Sequence, residues 1–397
     1  MKEILFLTNG DANDANVWSN VPYCFSRALE NNGVIVHRIN YSMNPSSVKF
    51  YNLGFRRVLD GLTFRKLKFP YLRTTRFFKC FAERKIKKAI QQHPQADLCL
   101  FMGYGFYNKW NKIPSLLFSD WTTEMDIQKK RKPNFLEKRM IHQEEEAINK
   151  AEYVVSLFPV CCEEMKKKYP KANIHFLGGN VINDLLNKSL VSRSKFQVSN
   201  DNADNTIIVE DLIETKEKSK KLLFIGRKTT YLEAAKKLIE AYKLLKGEEA
   251  YMDYSLDIVG CAESDFSSLP EGVTCYGFLN KSQEQDRKTY YDLLLNAKVL
   301  VNANPKWGAF SSTVEAMYYY TPVIVSPYQD FVKNFGEKID FGVYNQNFTA
   351  ESIVNDIKTV INSDNYTEMC NFAHEKVKSY TWEDYVVKIS TLLQGKA

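Results

Sequence analysis

The sequence predicts an α/β protein built from two doubly wound halves, on three observations. The chain has 397 residues, more than one ordinary hydrophobic core accommodates, so two domains are expected. Short apolar runs alternate with amphipathic stretches, the βαβ pattern of a parallel sheet covered on both faces. The alternation runs twice, broken by Asn187–Lys221, a polar stretch rich in Ser, Asn, Asp and Lys that reads as a loop-rich connection.

In the first half, Ile4–Thr8 reads as a strand. Asn16–Asn31 has helical spacing, with Val17, Val21, Phe25, Ala28 and Leu29 on one face. Gly33 is a helix stop, and Val34–Ile39 reads as the next strand. Further strands are expected at Leu98–Met102, Leu116–Ser119 and Tyr153–Phe158, and helices over Phe77–Gln91, Phe135–Asn149 and Val160–Lys168. In the second half, strands are expected at Leu222–Ile225, Leu256–Val259, Val273–Tyr276, Val299–Asn302 and Val323–Ser326. Helices are expected over Leu232–Leu245, Lys288–Asn296 and Ser312–Tyr319. Gly226, Gly260, Gly277 and Asn304–Thr313 fall at carboxyl ends of strands, where open parallel sheets bind ligands.

Composition excludes several classes. Hydrophobic residues are 44% and charged residues 25%, which suits a globular protein rather than a disordered or fibrous one. There is no run of eighteen apolar residues, so no membrane-spanning helix is expected. Met-Lys-Glu leads into Ile4–Leu7, too short for a signal-peptide core, and a cytoplasmic location is expected. Cys24, Cys80, Cys99, Cys161, Cys162, Cys261, Cys275 and Cys370 form no CxxC pair and read as reduced and buried. The five histidines show no metal-ligand spacing, so no metal is expected. The aromatic share of 13% is high. Aromatics line sites that hold rings or sugars, although any single Phe or Tyr is more ordinarily core.

Two segments carry chemistry. From Asn302 a strand end leads through a Gly-containing loop into a helix near Ser311–Thr313. Amides and dipole at a helix start make an anion site, and the hydroxyls of Ser311, Ser312 and Thr313 add donors or caps. Glu315, placed in the first turn, either accepts two ribose hydroxyls or is a plain helix-start carboxylate. The local sequence supports both readings equally. In Leu223-Phe-Ile-Gly-Arg-Lys, a strand and Gly226 deliver Arg227 and Lys228, which either neutralise a departing diphosphate or cap a solvated strand end.

Gly226-Arg227, Leu256-Asp-Ile-Val-Gly260, Val273 to Gly277-Phe-Leu279 and Gly308 to Glu315-Ala-Met with Pro322-Val-Ile together resemble the C-terminal domain of retaining GT-B glycosyltransferases of family 4 (glycosyl transferases group 1), over roughly Leu222–Ser326. Tyr380-Thr-Trp-Glu-Asp-Tyr resembles the family's closing helix, and Val154-Val-Ser156 and Asn180-Val-Ile-Asn183 its N-terminal strand and hinge-side loop. The resemblance implies two facing Rossmann-like domains with a C-terminal helix crossing back to the first. The expected boundaries are residues 1–205 on the acceptor side, 206–379 for the nucleotide sugar, and 380–397 for the crossing helix. It implies sugar transfer from a nucleotide diphosphate sugar to a saccharide or lipid-linked acceptor with retention. The leaving diphosphate assists the incoming hydroxyl, and no metal or further cofactor takes part. Bacterial surface polysaccharide synthesis, such as O-antigen or capsule, is the common setting.

By the same resemblance Arg227 and Lys228 hold the diphosphate and Glu315 the ribose. Gly308–Ser312, that is Gly308, Ala309, Phe310, Ser311 and Ser312, wrap the phosphates and the transferred sugar, and Trp307 and Thr313 on either side count among the donor-binding residues. Gly226 and Gly260 line the cleft, and Phe278 and Leu279 face the base. Two positions depart from the family. Trp307 stands where a Glu commonly touches the donor sugar, and Leu232 where a Lys commonly follows the Arg. No D-x-D motif is present. In the first half, Asp120 lies where the family commonly places a polar residue near the reacting sugar. It either supports a developing oxocarbenium charge or caps a helix. The loop around Gly10 leaves a strand end, where its backbone can approach a ligand.

Lys49–Lys88 is strongly basic, with interleaved aromatics such as Phe50, Tyr51, Phe77, Phe78 and Phe81. It suits an anionic membrane surface or a lipid-diphosphate-linked acceptor, or is a solvated helix pair with core aromatics. Peripheral association with the inner face of the membrane is the expectation, and no nucleic-acid partner is expected. Three competing readings stand beside the transferase: a sugar-nucleotide epimerase on the same fold, a nucleic-acid binder using the basic stretch, and a non-catalytic sugar-nucleotide binder.

Overall fold

The structure, a computed structural model, describes residues 1–51, 53–54, 57–62, 71–128, 131–183, 218–305 and 310–395. The chain divides into two compact units. One comprises Met1–Gly179 with Trp382–Ala397, the other Asn180–Thr381.

The first unit holds a six-stranded sheet of β1 (Glu3–Thr8), β2 (Ile35–Asn40), β3 (Leu98–Met102), β4 (Ser115–Ser119), β5 (Tyr153–Ser156) and β6 (Ile174–Phe176). The order is β2-β1-β3-β4-β5-β6, and every pair is parallel. β3 and β4 are buried along their whole length, which is why they read as unbroken apolar runs. β2, at the edge, is only half-buried. The second unit holds β7 (Lys221–Ile225), β8 (Ser255–Val259), β9 (Val273–Gly277), β10 (Val299–Asn302), β11 (Val323–Val325) and β12 (Gly342–Tyr344). Its order is β12-β11-β10-β7-β8-β9, again all parallel. Counted from β7, this is the 3-2-1-4-5-6 order of nucleotide-binding doubly wound sheets.

Each strand expected from the sequence is present within a residue or two. β6 and β12 were not expected: three residues at a sheet edge are too short to show a period. Helices start earlier than their apolar pattern. Lys228–Leu245 begins a turn before Leu232, and Glu284–Asn296 a turn before Lys288, because the first-turn residues are mostly exposed and carry no apolar signal. Asn16–Asn31 is not one helix. Trp18, Ser19 and Asn20 all have positive φ, and the α-helix runs Val21–Asn31 with Pro22 in its first turn. Val17 and Val21 are in helical phase, so the periodicity reads across this left-handed turn. Asn134 and Glu137 form a capping box on Phe135–Lys150.

Cys80 is exposed and Cys275 only half-buried, which corrects the expectation that all the cysteines are buried. The closing helix is Trp382–Leu393. Trp382 stacks on Phe25 of Val21–Asn31, with centroids 4.6 Å apart, and Tyr385 meets the same ring edge-on. The last helix of the sequence therefore completes the core of the first unit. Most of the expected connection Asn187–Lys221, up to residue 217, lies outside the described residues.

Candidate active site

In the second unit the crossovers part company between β7 and β10, the topological switch point, and a crevice opens beyond their carboxyl ends. β7 delivers Gly226, Arg227 and Lys228 there, and β10 delivers Asn302 and the residues after it. Arg227 is exposed and precedes the helix Lys228–Leu245. The Lys228 ammonium is taken by Asp265. That contact, with the Ala262 amide at 2.8 Å, holds the Asp265 carboxyl below its usual range. Asp265 was not foreseen, since it lies in a loop with no regular spacing to Lys228.

Gly260 shows why glycine occupies this rim. Its φ is +95°, and a Cβ there would sit 2.3 Å from the Gly226 carbonyl oxygen. Gly226 in turn has Tyr231 Cβ at 2.7 Å from its own would-be Cβ. The crossing is laced by Gly226 N–H to Val259 O at 3.0 Å and Lys228 N–H to Gly260 O at 2.9 Å. Gly260 N–H donates to Gly277 O at 2.7 Å, tying in the end of β9. The role the structure gives Gly226 and Gly260 is close backbone passage that fixes where Arg227 begins.

Glu315 is the fifth residue of the helix Ser311–Tyr318 and is buried, so the helix-start reading does not hold. Its Oε2 accepts from the Tyr290 hydroxyl at 2.5 Å, and its Oε1 faces Lys281 Nζ at 3.4 Å. Lys281 also lies over the Tyr290 ring, 4.4 Å from its centroid. Burial, and the carboxylate beside it, push the Tyr290 phenol well above its ordinary range. A buried carboxylate persists only when paired, and Tyr290 and Lys281 supply the pairing. Phe278 is 67% exposed just beyond β9, Leu279 is half-buried, and Lys281 follows, so one short segment runs from an exposed aromatic face to the Glu315 carboxylate.

The Phe310 ring is buried against Phe331 and Phe335, which leaves its backbone as the part that can meet a donor. Ser311 and Ser312 are half-buried and Thr313 is buried. With its amide oxygen turned to the helix, Asn180 accepts from the Phe310 and Ser311 amides at 2.8 Å each. That cap comes from far away in sequence and was not foreseen. Asn302 Oδ1 and Ser326 Oγ, at the ends of β10 and β11, are buried without a partner among the described residues. Polar atoms left so at a crevice are positions for a ligand or water. Trp307, Gly308 and Ala309 lie outside the described residues.

The first unit has its switch point between β1 and β3. Gly10 follows β1 with φ +146°, and a Cβ there would meet Val17 Cγ1 at 2.8 Å. Asp120 follows β4 and accepts from the Trp121 amide at 2.8 Å and Ser119 Oγ at 3.2 Å. The cap of the next helix, Thr123–Gln128, falls to Thr122, whose hydroxyl accepts from the Met125 amide at 3.2 Å. The helix-cap reading of Asp120 is therefore overturned. Asp120 is half-exposed at its surface yet closely walled by protein, and desolvation raises its carboxyl above the usual range. Glu144, on Phe135–Lys150, accepts from the Thr123 amide at 2.8 Å and from the Thr123 hydroxyl, and burial pushes its carboxyl up to about 7.

The basic stretch is divided in its behaviour. Tyr51 and Phe78 are core, whereas Phe50 is 83% and Phe77 60% exposed. With Met43, Phe135 and Leu136 the exposed pair lines an apolar cavity of about 800 Å³, and Arg76 and Arg139 stand in its wall. Phe55, Arg56, Phe64, Arg65, Lys66, Lys68 and Phe69 lie outside the described residues.

Residues 210–378 match the family model for glycosyl transferases group 1. No curated protein matches the sequence. Among solved structures, WaaG, a glycosyltransferase involved in lipopolysaccharide biosynthesis, aligns over 100% of both chains at 13% identity and a TM-score of 0.60. Sucrose-phosphate synthase from Thermosynechococcus elongatus aligns over 100% of this chain and 99% of its own at 14% identity and a TM-score of 0.59. TarM of S. aureus, in a complex that contains UDP, aligns over 74% of this chain at 16% identity and a TM-score of 0.51. The chain spans only 55% of the TarM length. The group 1 match thus falls within the C-terminal unit, and the two doubly wound units share the GT-B fold of these solved structures.

Proposed function

We propose that the chain transfers a sugar from a nucleoside diphosphate sugar to a saccharide or lipid-linked acceptor, with retention at the anomeric carbon and without a metal. The observation that carries this reading is the crevice between β7 and β10, which gathers an exposed cation, a helix start and a buried, oriented carboxylate. Arg227, joined by Lys228 once it leaves Asp265, neutralises the diphosphate as it departs. The amides of Ser312 and Thr313 receive phosphate oxygens. Glu315 accepts the ribose hydroxyls, and Phe278 lies under the base. Gly308, Ala309 and Trp307 complete the phosphate and sugar contacts. The diphosphate takes the proton of the incoming hydroxyl on the face it leaves. The apolar cavity walled by Arg76 and Arg139 supports a lipid-linked acceptor presented at an anionic membrane surface, with surface polysaccharide synthesis as the setting and the inner face of the membrane as the place.

Thermal-shift titration with UDP, GDP, ADP and CMP, on wild type, Arg227→Ala and Glu315→Gln, tests the donor site. One nucleotide is expected to raise the melting temperature, and each variant to weaken its binding. A shift that neither variant alters would remove the site from this crevice. The anomeric configuration of the product, and activity in excess chelator, decide retention and metal independence.

A further inference from the structure

The first unit brings together three side chains that its proposed chemistry does not use. Glu3 is the first residue of β1, and His37 lies on β2, paired in register with Leu5. His93 closes the helix Arg76–Gln92. Glu3 and Leu5 are two residues apart on one strand and share a sheet face, so Glu3 and His37 are neighbours on it. The turn after the helix brings His93 over the same spot. His37 Nε2 is 2.9 Å from Glu3 Oε1, and His93 Nδ1 is 4.0 Å from the same oxygen. The three ligand atoms all lie within 4.8 Å of one another. The two imidazoles face each other at 3.9 Å between centroids, tilted by 33°.

We propose that Glu3, His37 and His93 form a binding site for a zinc-class transition-metal ion that clamps the amino ends of β1 and β2 to the segment entering β3. Zinc–nitrogen and zinc–oxygen bonds of about 2.0–2.1 Å at tetrahedral angles set ligand atoms about 3.3 Å apart. The observed 2.9 and 4.0 Å bracket that value, and with all three atoms within 4.8 Å of one another, side-chain rotations that move them by up to about 1.5 Å close the site. Two imidazoles and one carboxylate select zinc, nickel or copper over calcium or magnesium, which require more oxygen ligands. The supporting contacts are present. Gln95 Nε2 donates to Glu3 Oε1 at 2.6 Å, and Asp97 Oδ2 accepts from the Glu3 amide at 3.1 Å, which fixes the start of the strand. All three side chains are part-exposed, between 17% and 28%, so an ion can enter and water can fill the fourth position. On binding, His37 Nε2 turns its lone pair to the ion in place of its present contact with Glu3 Oε1. The site lies at the amino ends of the strands, about 16 Å along β1 from its carboxyl end at about 3.3 Å per residue. Its role is structural and independent of the proposed transfer.

The test uses the untagged full chain, stripped with chelator, and Zn²⁺ and Co²⁺ as probes. Calorimetry is expected to give one Zn²⁺ per chain, Zn²⁺ is expected to raise the melting temperature, and Co²⁺ to give the visible absorption of a four-coordinate nitrogen–oxygen site. His37→Ala with His93→Ala is expected to weaken binding by at least about the 10–100-fold that loss of even a supporting group costs. Glu3→Gln, which keeps the side chain's shape, gives a second reading should the double variant not fold. No binding to wild type at 100-fold molar excess of Zn²⁺ would overturn the proposal. So would undiminished binding in a folded variant, or sulfur-to-cobalt charge-transfer bands, which would hand the ion to cysteines such as the exposed Cys80.

Discussion

Gly260→Ala puts the backbone crossing beneath the candidate phosphate site to a direct test. A methyl at this position lies 2.3 Å from the Gly226 carbonyl oxygen and 2.7 Å from its carbon, both backbone atoms that no rotamer can move aside. The φ of +95° adds strain of about 1–3 kcal/mol for a residue with a Cβ. Separating the two strands weakens the Gly226-to-Val259 and Lys228-to-Gly260 hydrogen bonds, at about 1 kcal/mol each. The sum is about 3–5 kcal/mol, or a fall of about 10 °C in the melting temperature of a unit this size. Gly277→Ala is the control. Its φ is also positive, at +63°, but the nearest atom to its would-be Cβ is Ala262 Cβ at 3.9 Å, ordinary contact distance. It retains only the conformational cost, about 1 kcal/mol. Parallel thermal and urea unfolding of the two variants measures the difference. Equal destabilisation by both would refute the reasoning, because it would mean that φ alone, and not the crossing, sets the requirement for glycine at 260.

Two further predictions follow from the polar contacts. Tyr290→Phe removes the 2.5 Å hydrogen bond to Glu315 with little change of shape, and nucleotide affinity is expected to fall about tenfold, since a hydrogen bond to a charged group contributes about 1.5–3 kcal/mol; unchanged affinity in calorimetry would show that Glu315 needs no such orientation. Glu144 carries a folded-state pKa of about 7 against an ordinary 4.5, so the folded chain holds a proton the unfolded chain has released: this contribution is fully present below about pH 4.5 and is lost as pH rises to about 7, by about 3 kcal/mol at most. Glu144→Gln keeps the Thr123 contacts and is expected to be the more stable chain at pH 8 but not at pH 4.5, read from urea midpoints; a difference that does not vary with pH would refute the assignment.

The repeating frame of the fold is legible because its central strands are buried on both faces. Runs such as Leu98–Met102 and Val299–Asn302 have no polar interruption, and glycine marks the end of β7, β8 and β9. What hid from the sequence is long-range or aperiodic. Asn180 caps a helix that begins far downstream, and nothing around Asn180 announces it. Tyr290 and Lys281 look like ordinary residues of a helix and its approach, and their meeting with Glu315 depends on how two helices pack. Trp18–Asn20 turn left-handed inside a stretch whose apolar spacing is helical, so the period misleads there. Arg227 and Lys228 were singled out from their place after a strand, but the claim of Asp265 on Lys228 needed the fold. The Phe310 ring turns into the core, which its adjacency to Ser311 in sequence does not announce.

The two sheets differ in where their order reverses. In the second unit the reversal falls at the middle, with three strands on either side, so loops flank the crevice from both directions and any change there disturbs neighbours on both. In the first unit it falls one strand from the edge, with β2 alone beyond β1. The connection that leaves β2 therefore starts at the sheet's margin, and its described parts carry the exposed rings and the apolar cavity before the chain re-enters the sheet at β3. Such a margin can be lengthened, shortened or rewritten while β1, β3 and β4 keep their register. A lineage of such proteins can thus exchange the part that hangs from the edge and leave the central crevice of the other unit as it was.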